Sequence, residues 1–343
     1  MSKEKILVTG CAGFIGFHLC KSLIDDGNEV FGVDNINDYY SINLKHRRLK
    51  ELGINEDLIS NSALKFQNSN KYKNFYFSKL DIIDKQTVQS VFNRFAPEKV
   101  VHLAAQPGVR YSLENALIYA ETNLVGFVNI IDLCRENNVE GFIYASSSSV
   151  YGGNKKMPSS TEDRVSYPLS LYSATKRANE LIAHSYSHIY GLHTTGLRYF
   201  TVYGPWGRPD MAIFNFAKNI LADEPISVFN NGKMKRDFTY IYDIILGTKS
   251  AIKKNYNCQV FNLGNNKSHE LMYVISLIEK NIGKKAKINF LPMQPGDVFE
   301  SFADIEKSAD MLDYRPTINI NVGIKNFIKW YLSFKTNLSK KLQ

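Results

Sequence analysis

The chain is poor in cysteine, with only 4 among 343 residues. Cys11, Cys20, Cys134 and Cys258 are scattered, without the close pairing of a metal knuckle, a redox motif or a disulfide framework, so buried free thiols are expected. Long apolar runs are lacking too. Stretches such as Lys5–Val8 and Lys99–Ala105 fall far short of the roughly 20 residues that cross a bilayer, and no membrane span is expected. The leading Met1-Ser2-Lys3-Glu4-Lys5 has no apolar secretory core, which favours the cytoplasm. Lys and Arg number 42 against 33 Asp and Glu, a net +9, yet no block of one sign occurs. That spread argues against a nucleic-acid partner and leaves the excess free to steer an anionic substrate. No metal is expected either, since no His/Cys/Asp/Glu cluster has ligand spacing and no Ser/His/Asp triad competes for the chemistry.

A hydrophobic content of 44% suffices for a full core and two lobes sharing an interface. Strand-length runs at Lys5–Thr9, Glu29–Val33, Phe75–Lys79, Lys99–His102 and Gly141–Ala145 alternate with helix-length segments at Phe14–Asp26, Lys85–Phe95, Leu113–Asn137 and Tyr172–Tyr190. This alternation predicts an α/β fold, a doubly wound parallel sheet of the Rossmann type. The polar segment Ile36–Lys73 interrupts the rhythm and reads as an insertion across the sheet edge or the cofactor site. After Tyr190, short strands at His193–Arg198, Ile226–Phe229 and Val260–Leu263 predict a smaller C-terminal α/β substrate lobe. The expected division is a nucleotide-binding domain over 1–190, with part of 236–256 returning to it, a substrate lobe over 191–335 and a tail over 336–343.

Gly10, Gly13 and Gly16 stand three apart, directly after the first strand and at the mouth of a helix. Such glycines allow a tight turn and let a diphosphate approach the free N–H groups of the helix start. Asp34 ends the second strand, where a carboxylate accepts bonds from an adenosine ribose and repels a 2′-phosphate, favouring NAD over NADP. Asp81 is a less specific candidate for the adenine amino group. In His102-Leu103-Ala104-Ala105-Gln106 the small residues would let backbone lie against the cofactor, or simply pack helix on sheet. Asn123, a poor helix former inside a helix, either braces the site or faces solvent. The serine run Ser146-Ser147-Ser148-Ser149 closes the fifth strand at the carboxyl edge where open α/β sheets bind ligands. Tyr172 and Lys176, one helical turn apart, form an acid/base device in which the cation supports a phenolate. Together these motifs point to hydride chemistry on a sugar nucleotide.

The same residues resemble the extended short-chain dehydrogenase/reductase family over essentially the whole chain. The strings Asp34-Asn35-Ile36-Asn37-Asp38-Tyr39-Tyr40, Ala104 to Ser112 and Arg198 to Pro205 are more discriminating and resemble the UDP-glucuronate 4-epimerases within it. The resemblance implies NAD as cofactor and a UDP-sugar as substrate. It assigns the proton of the sugar 4-hydroxyl to Tyr172, support of the phenolate and of the nicotinamide ribose to Lys176, and a hydrogen bond to the sugar oxygen to Ser147. The implied cofactor site adds Phe14, Ile15, Asn35, Ile82, Leu103, Ala104, Ala105, Gln106, Asn123, Tyr199 and Val202 to the glycines, Asp34 and Asp81.

Departures within the resemblance bear on the substrate. Related dehydratases and decarboxylases carry an acid just before Val-Tyr-Gly of the serine motif, whereas Ser148 and Ser149 stand here and suit a substrate carboxylate. Thr201 replaces the Asn of galactose-type epimerases, and Gln294 replaces the Arg that precedes their Pro-Gly-Asp, which ends here at Asp297. Arg208 and Arg236 are the candidate diphosphate or carboxylate clamps, with Arg236 at a family nucleotide-binding position. The expected reaction is C4 epimerisation of UDP-glucuronate to UDP-galacturonate; the alternatives are a 4-epimerase of UDP-N-acetylhexosamine or UDP-glucose, a decarboxylase or dehydratase, or a noncatalytic NAD-binding or RNA-associated protein. A homodimer through the helices Leu113–Asn137 and Tyr172–Tyr190 is implied by resemblance alone.

Overall fold

Strands rich in Val, Ile and Leu on both faces need cover on both faces. In the computed structural model, which describes residues 3–55, 66–294 and 296–339, β1 (Lys5–Thr9), β2 (Glu29–Asp34), β3 (Gln67–Asn68), β4 (Phe75–Lys79), β5 (Lys99–His102), β6 (Gly141–Ser147), β7 (Thr194–Tyr199) and β12 (Gln259–Leu263) build one eight-stranded sheet. Its order is β12-β7-β6-β5-β1-β2-β4-β3, and every pairing is parallel except β3 with β4. Alternation along β1 sends Ile6 and Val8 into one core and Leu7 into the other. The first core is closed by α1 (Phe14–Asp25) through Phe14 and Phe17 and by α9 (Ile241–Lys254) through Ile244 and Ile252. The second is closed by α3 (Lys85–Phe95) and α6 (Gly126–Glu136) through Val88, Phe92, Phe127 and Ile131.

A third core lies in the smaller lobe, where α8 (Ala212–Leu221), α10 (Leu271–Ile282) and α11 (Ile320–Ser339) pack Phe214, Ala217, Val274, Ile278, Phe327 and Ile328 together. Short strands β8 (Thr201–Tyr203) and β11 (Phe238–Tyr240) pair with each other, as do β9 (Ile226–Val228) and β14 (Ile288–Phe290). β10 (Lys235–Arg236) joins β13 (His269–Glu270) and β15 (Glu300–Ser301).

Several expectations need correction. The large sheet does not end at residue 190: β7 and β12 belong to it, because β7 is buried along its whole length and takes its hydrogen bonds from β6 and β12. The expected tail is helical through Ser339, and residues 340–343 lie outside the described ones. The helix expected over Leu113–Asn137 is broken. Asn115 leaves helical backbone at φ −128°, separating α4 (Tyr111–Glu114) from α5 (Ala116–Ala120), and a π-helical turn over Glu121–Val125 precedes α6. The run Ala116–Glu136 is long and apolar enough to cross a membrane by length and composition only, a test that a core helix also passes, and half of it is buried inside the fold. Cys258 is half-buried, whereas the other cysteines are buried as expected. Within the insertion β3 extends the sheet edge and α2 (Ile42–Glu51) brings Lys45 to the wall of the cleft at the carboxyl end of the sheet, while its residues 56–65 lie outside the described ones.

Candidate active site

At the carboxyl ends of β1, β2, β5, β6 and β7 lies a cleft of about 400 Å³. One end is the glycine turn. Gly10 has φ +74°, and a Cβ there would stand 2.7 Å from the Ala104 nitrogen, so only glycine lets the turn after β1 press on the segment after β5. Gly13 is the N-cap of α1 and brings no side chain, leaving the first-turn N–H groups to face an anion. Asp34 Oδ2 accepts from Ala12 N at 3.1 Å and Oδ1 from Ile36 N at 2.8 Å, which fixes the carboxylate at the cleft wall. Glycine turn, bare helix start and fixed acid fit a dinucleotide. Thr9 Oγ1 accepts the Ala104 N–H at 3.1 Å and hydrogen-bonds His102 Nδ1 at 2.8 Å; burial pushes His102 down to about 3, so the ring is neutral. This link sets Leu103, Ala104 and Ala105 along the cleft.

Phe14, Ile15, Asn35, Ile82, Tyr199 and Val202 also line it, together with Gly10, Gly13, Gly16 and Asp34. Asp81, Gln106 and Asn123 are not among its walls and stand behind them. Asp81 Oδ2 accepts from Asn35 Nδ2 at 2.9 Å and so aims Asn35. Asn123 is buried; its Oδ1 accepts from Gln106 N at 2.7 Å and its Nδ2 donates to Gln106 O and Thr175 Oγ1, both at 3.1 Å. The π-helical turn thus braces the cofactor loop against α7 (Leu171–Tyr190).

The other end of the cleft carries the acid/base groups. α7 starts at Ser170, whose Oγ accepts from Ser173 N at 3.1 Å, a cap worth about 1 kcal/mol. Three residues on one face of α7 then meet three consecutive residues of β6. Tyr172 comes against Ser147, whose hydroxyl acts to lower the phenol, Lys176 Nζ donates to Ala145 O at 2.8 Å, and Glu180 Oε1 accepts from Ser146 Oγ at 2.6 Å. Glu180 also holds Arg198 through Nε at 2.8 Å and Nη2 at 2.9 Å. Burial works to raise the Glu180 carboxyl, and Arg198, Ser146 and Arg177 outweigh it, leaving the group below its ordinary value. Sequence reasoning missed Glu180 and Arg198, although the spacing Tyr172, Lys176, Glu180 was the signal.

Burial raises the Tyr172 phenol, opposed by the Ser147 hydroxyl and by the positive field of Arg208. Lys176, also buried, is pushed down to about 8. Arg208 thus adds a positive field at Tyr172, while Lys176, one turn along α7, donates to the Ala145 carbonyl. Arg208 reaches the cleft from the smaller lobe, with Nε on Asp210 Oδ1 at 3.1 Å, while the Tyr39 hydroxyl donates to Asp210 Oδ2 at 3.3 Å. Tyr39, Asn37 and Lys45, all from the insertion, were missed as lining residues; Leu44, Lys45, Arg48 and Leu49 share the buried face of α2, a pattern the polar composition concealed.

Ser148, Ser149 and Thr201 lie where the cleft meets a second hollow of about 140 Å³, lined also by Arg236 and Asp297. Ser149 Oγ is buried there and has no hydrogen-bond partner among the described residues. Arg236 Nη1 donates to Lys235 O at 2.8 Å and Phe299 O at 3.1 Å, and Asp297 Oδ2 accepts from Arg110 Nη2 at 3.1 Å.

A Rossmann-type sheet whose Ser/Tyr/Lys set faces the glycine turn defines a short-chain dehydrogenase/reductase. The chain belongs to the NAD dependent epimerase/dehydratase family, which matches residues 6–264. It is 46% identical to Protein CapI of Staphylococcus aureus over 96% of this chain and 99% of that one. Identity to UDP-glucuronate 4-epimerase 4 of Arabidopsis thaliana is 42%, over 96% of this chain and 75% of the relative. The crystal structure of UDP-glucuronic acid 4-epimerase from Bacillus cereus, in complex with UDP-glucuronic acid and NAD, superposes with a TM-score of 0.86 at 35% identity, covering 96% of this chain and 99% of that one.

Proposed function

We propose that this protein interconverts UDP-glucuronate and UDP-galacturonate by NAD-dependent epimerisation at C4. The observation that carries this reading is the set Tyr172, Ser147 and Arg208 facing the glycine turn across one cleft, with hydroxyls rather than acids at 148 and 149. NAD, when bound, takes the C4 hydride and returns it. Tyr172 accepts the proton of the 4-hydroxyl as C4 is oxidised, Ser147 holds that oxygen, and Arg208 favours the phenolate. The sugar then turns to offer its opposite face, and Tyr172 gives the proton back. Ser148, Ser149 and Thr201 donate to the sugar carboxylate, an unpartnered Ser149 hydroxyl being suited to that. Arg236 and Asp297 hold the nucleotide end. An acid at 148 or 149 would assist decarboxylation or elimination, and neither position has one.

The reading includes a homodimer. Leu117, Val125 and Val128 on the broken helix, with Leu181 and Ile189 on α7, are exposed large apolar residues on two adjacent helices, an arrangement that a second copy would cover.

Purified protein is offered UDP-glucuronate, UDP-glucose and UDP-N-acetylglucosamine separately, and the products are resolved by chromatography. UDP-galacturonate forms fastest in the expected result. Recovery of UDP-glucuronate unchanged, or of a UDP-pentose with carbon dioxide, refutes the reading.

A further inference from the structure

Arg48, on α2, is 0% exposed, and an arginine keeps its charge in any protein environment. Among the described residues its partners are neutral oxygens only. Nη1 donates to Ala12 O at 2.8 Å and to the Tyr40 hydroxyl at 2.6 Å, and Nη2 to Trp206 O at 2.6 Å and Gly207 O at 3.3 Å, while Nε is buried with no partner. The neighbouring cations are matched. Lys45 stands 3.9 Å from Asp34, and Arg208 pairs with Asp210. Among the described residues Arg48 has no such acid, and a buried unpaired cation is among the costliest groups a fold can hold.

Its position says what would balance it. Ala12 lies between Gly10 and Gly13, so the guanidinium is fastened to the turn whose N–H groups receive a dinucleotide diphosphate. Its other hand grips a loop of the smaller lobe in which Trp206 has φ +61°, a left-handed conformation unusual for a bulky residue, two residues before Arg208.

We propose that Arg48 is the counter-charge for the dinucleotide diphosphate, a positioning residue that acts through the glycine turn and joins it to the loop bearing Arg208. The proposal rests on the dinucleotide-binding part of the functional reading and on no substrate assignment. Cofactor charge then neutralises Arg48, and the setting of Arg208 follows from the same clasp.

The test is calorimetric titration of the full chain, freed of dinucleotide, with ADP-ribose and with adenosine, which lacks the diphosphate. Arg48→Gln removes charge and keeps a donor; it is expected to weaken ADP-ribose at least about tenfold, the scale of one unit-charge interaction in a partly screened interior, and adenosine by less than about twofold. Arg48→Lys keeps the charge and holds ADP-ribose to within about threefold of the wild type. Equal losses for both ligands in Arg48→Gln, or no loss for either, overturn the proposal and leave Arg48 a clasp between loops. Should Arg48→Gln fail to fold, Arg48→Lys decides, since selective loss of ADP-ribose with the charge intact overturns it too. Wild-type protein that binds neither ligand overturns the dinucleotide reading together with the proposal, whereas selective binding by the wild type and an indifferent Arg48→Gln overturns the proposal alone.

Discussion

Lys176 keeps its ammonium inside the fold at a cost that pH reveals. Burial places its folded pKa near 8, whereas an unfolded lysine titrates near about 10.4. Between those values the unfolded chain holds a proton that the folded chain has released, so stability rises with pH across that window. The rise amounts to about 3 kcal/mol and vanishes in Lys176→Met. Urea unfolding of both proteins without dinucleotide, at pH 7.5, 9 and 10.5, measures it; a constant difference between them rules out a buried charge at 176. At Tyr172 the expectation concerns rate. Tyr172→Phe retains the ring and its edge-on contact with Tyr119 at 6.2 Å but not the proton acceptor, so kcat falls about 10³-fold while UDP binding stays within about twofold. Turnover assays and UDP titration check both halves, and undiminished kcat removes Tyr172 from its role.

At the scale of elements, the contact of α7 with β6 is the arrangement on which the chemistry rests, and Glu180 is its third rung. Glu180→Gln leaves Arg198 buried with a neutral partner, which costs about 3–5 kcal/mol of stability. It also loosens Ser146, next to Ser147, so kcat drops with little change in KM. Thermal unfolding and steady-state kinetics together test this; a stability loss with kcat intact makes the pair merely structural. The strands, the glycine turn, α1 and the Tyr/Lys helix were legible in the sequence because local pattern alone determines them. The membership of β7 and β12 in the sheet was not, since long excursions separate them from their partners in sequence. Asn123 stood out as a misfit in a helix, yet its π-helical turn depends on tertiary bonds to Gln106 and Thr175. Lys45 and Arg48 were illegible for a related reason: a polar segment gives no sign of which of its cations will be buried.

For the whole molecule, the exposed apolar residues of α5, α6 and α7 set the expectation of a dimer. Leu117, at 70% exposure, and Leu181, at 55%, are suitable probes because neither supports a core. Replacing both with Glu places like charges in the proposed interface and should yield monomers by light scattering at micromolar concentration, with helical content unchanged in circular dichroism. Dimers that survive the double change move the interface elsewhere.

The interleaving of the large sheet with the smaller lobe also determines how this chain is divided, whether by an experimenter or by recombination. A fragment ending at Tyr190, where the sequence alone suggested a boundary, would lack β7 and β12 and leave β6 as a bare edge. The fully buried residues Phe142 and Tyr144 lie on that strand, so the fragment would offer a long apolar edge to any passing copy of itself. Because β7 and β12 complete the large sheet, chimaeras that exchange sugar specificity with a relative are expected to fold when they trade loops such as 204–211 within an intact sheet rather than whole halves of the chain.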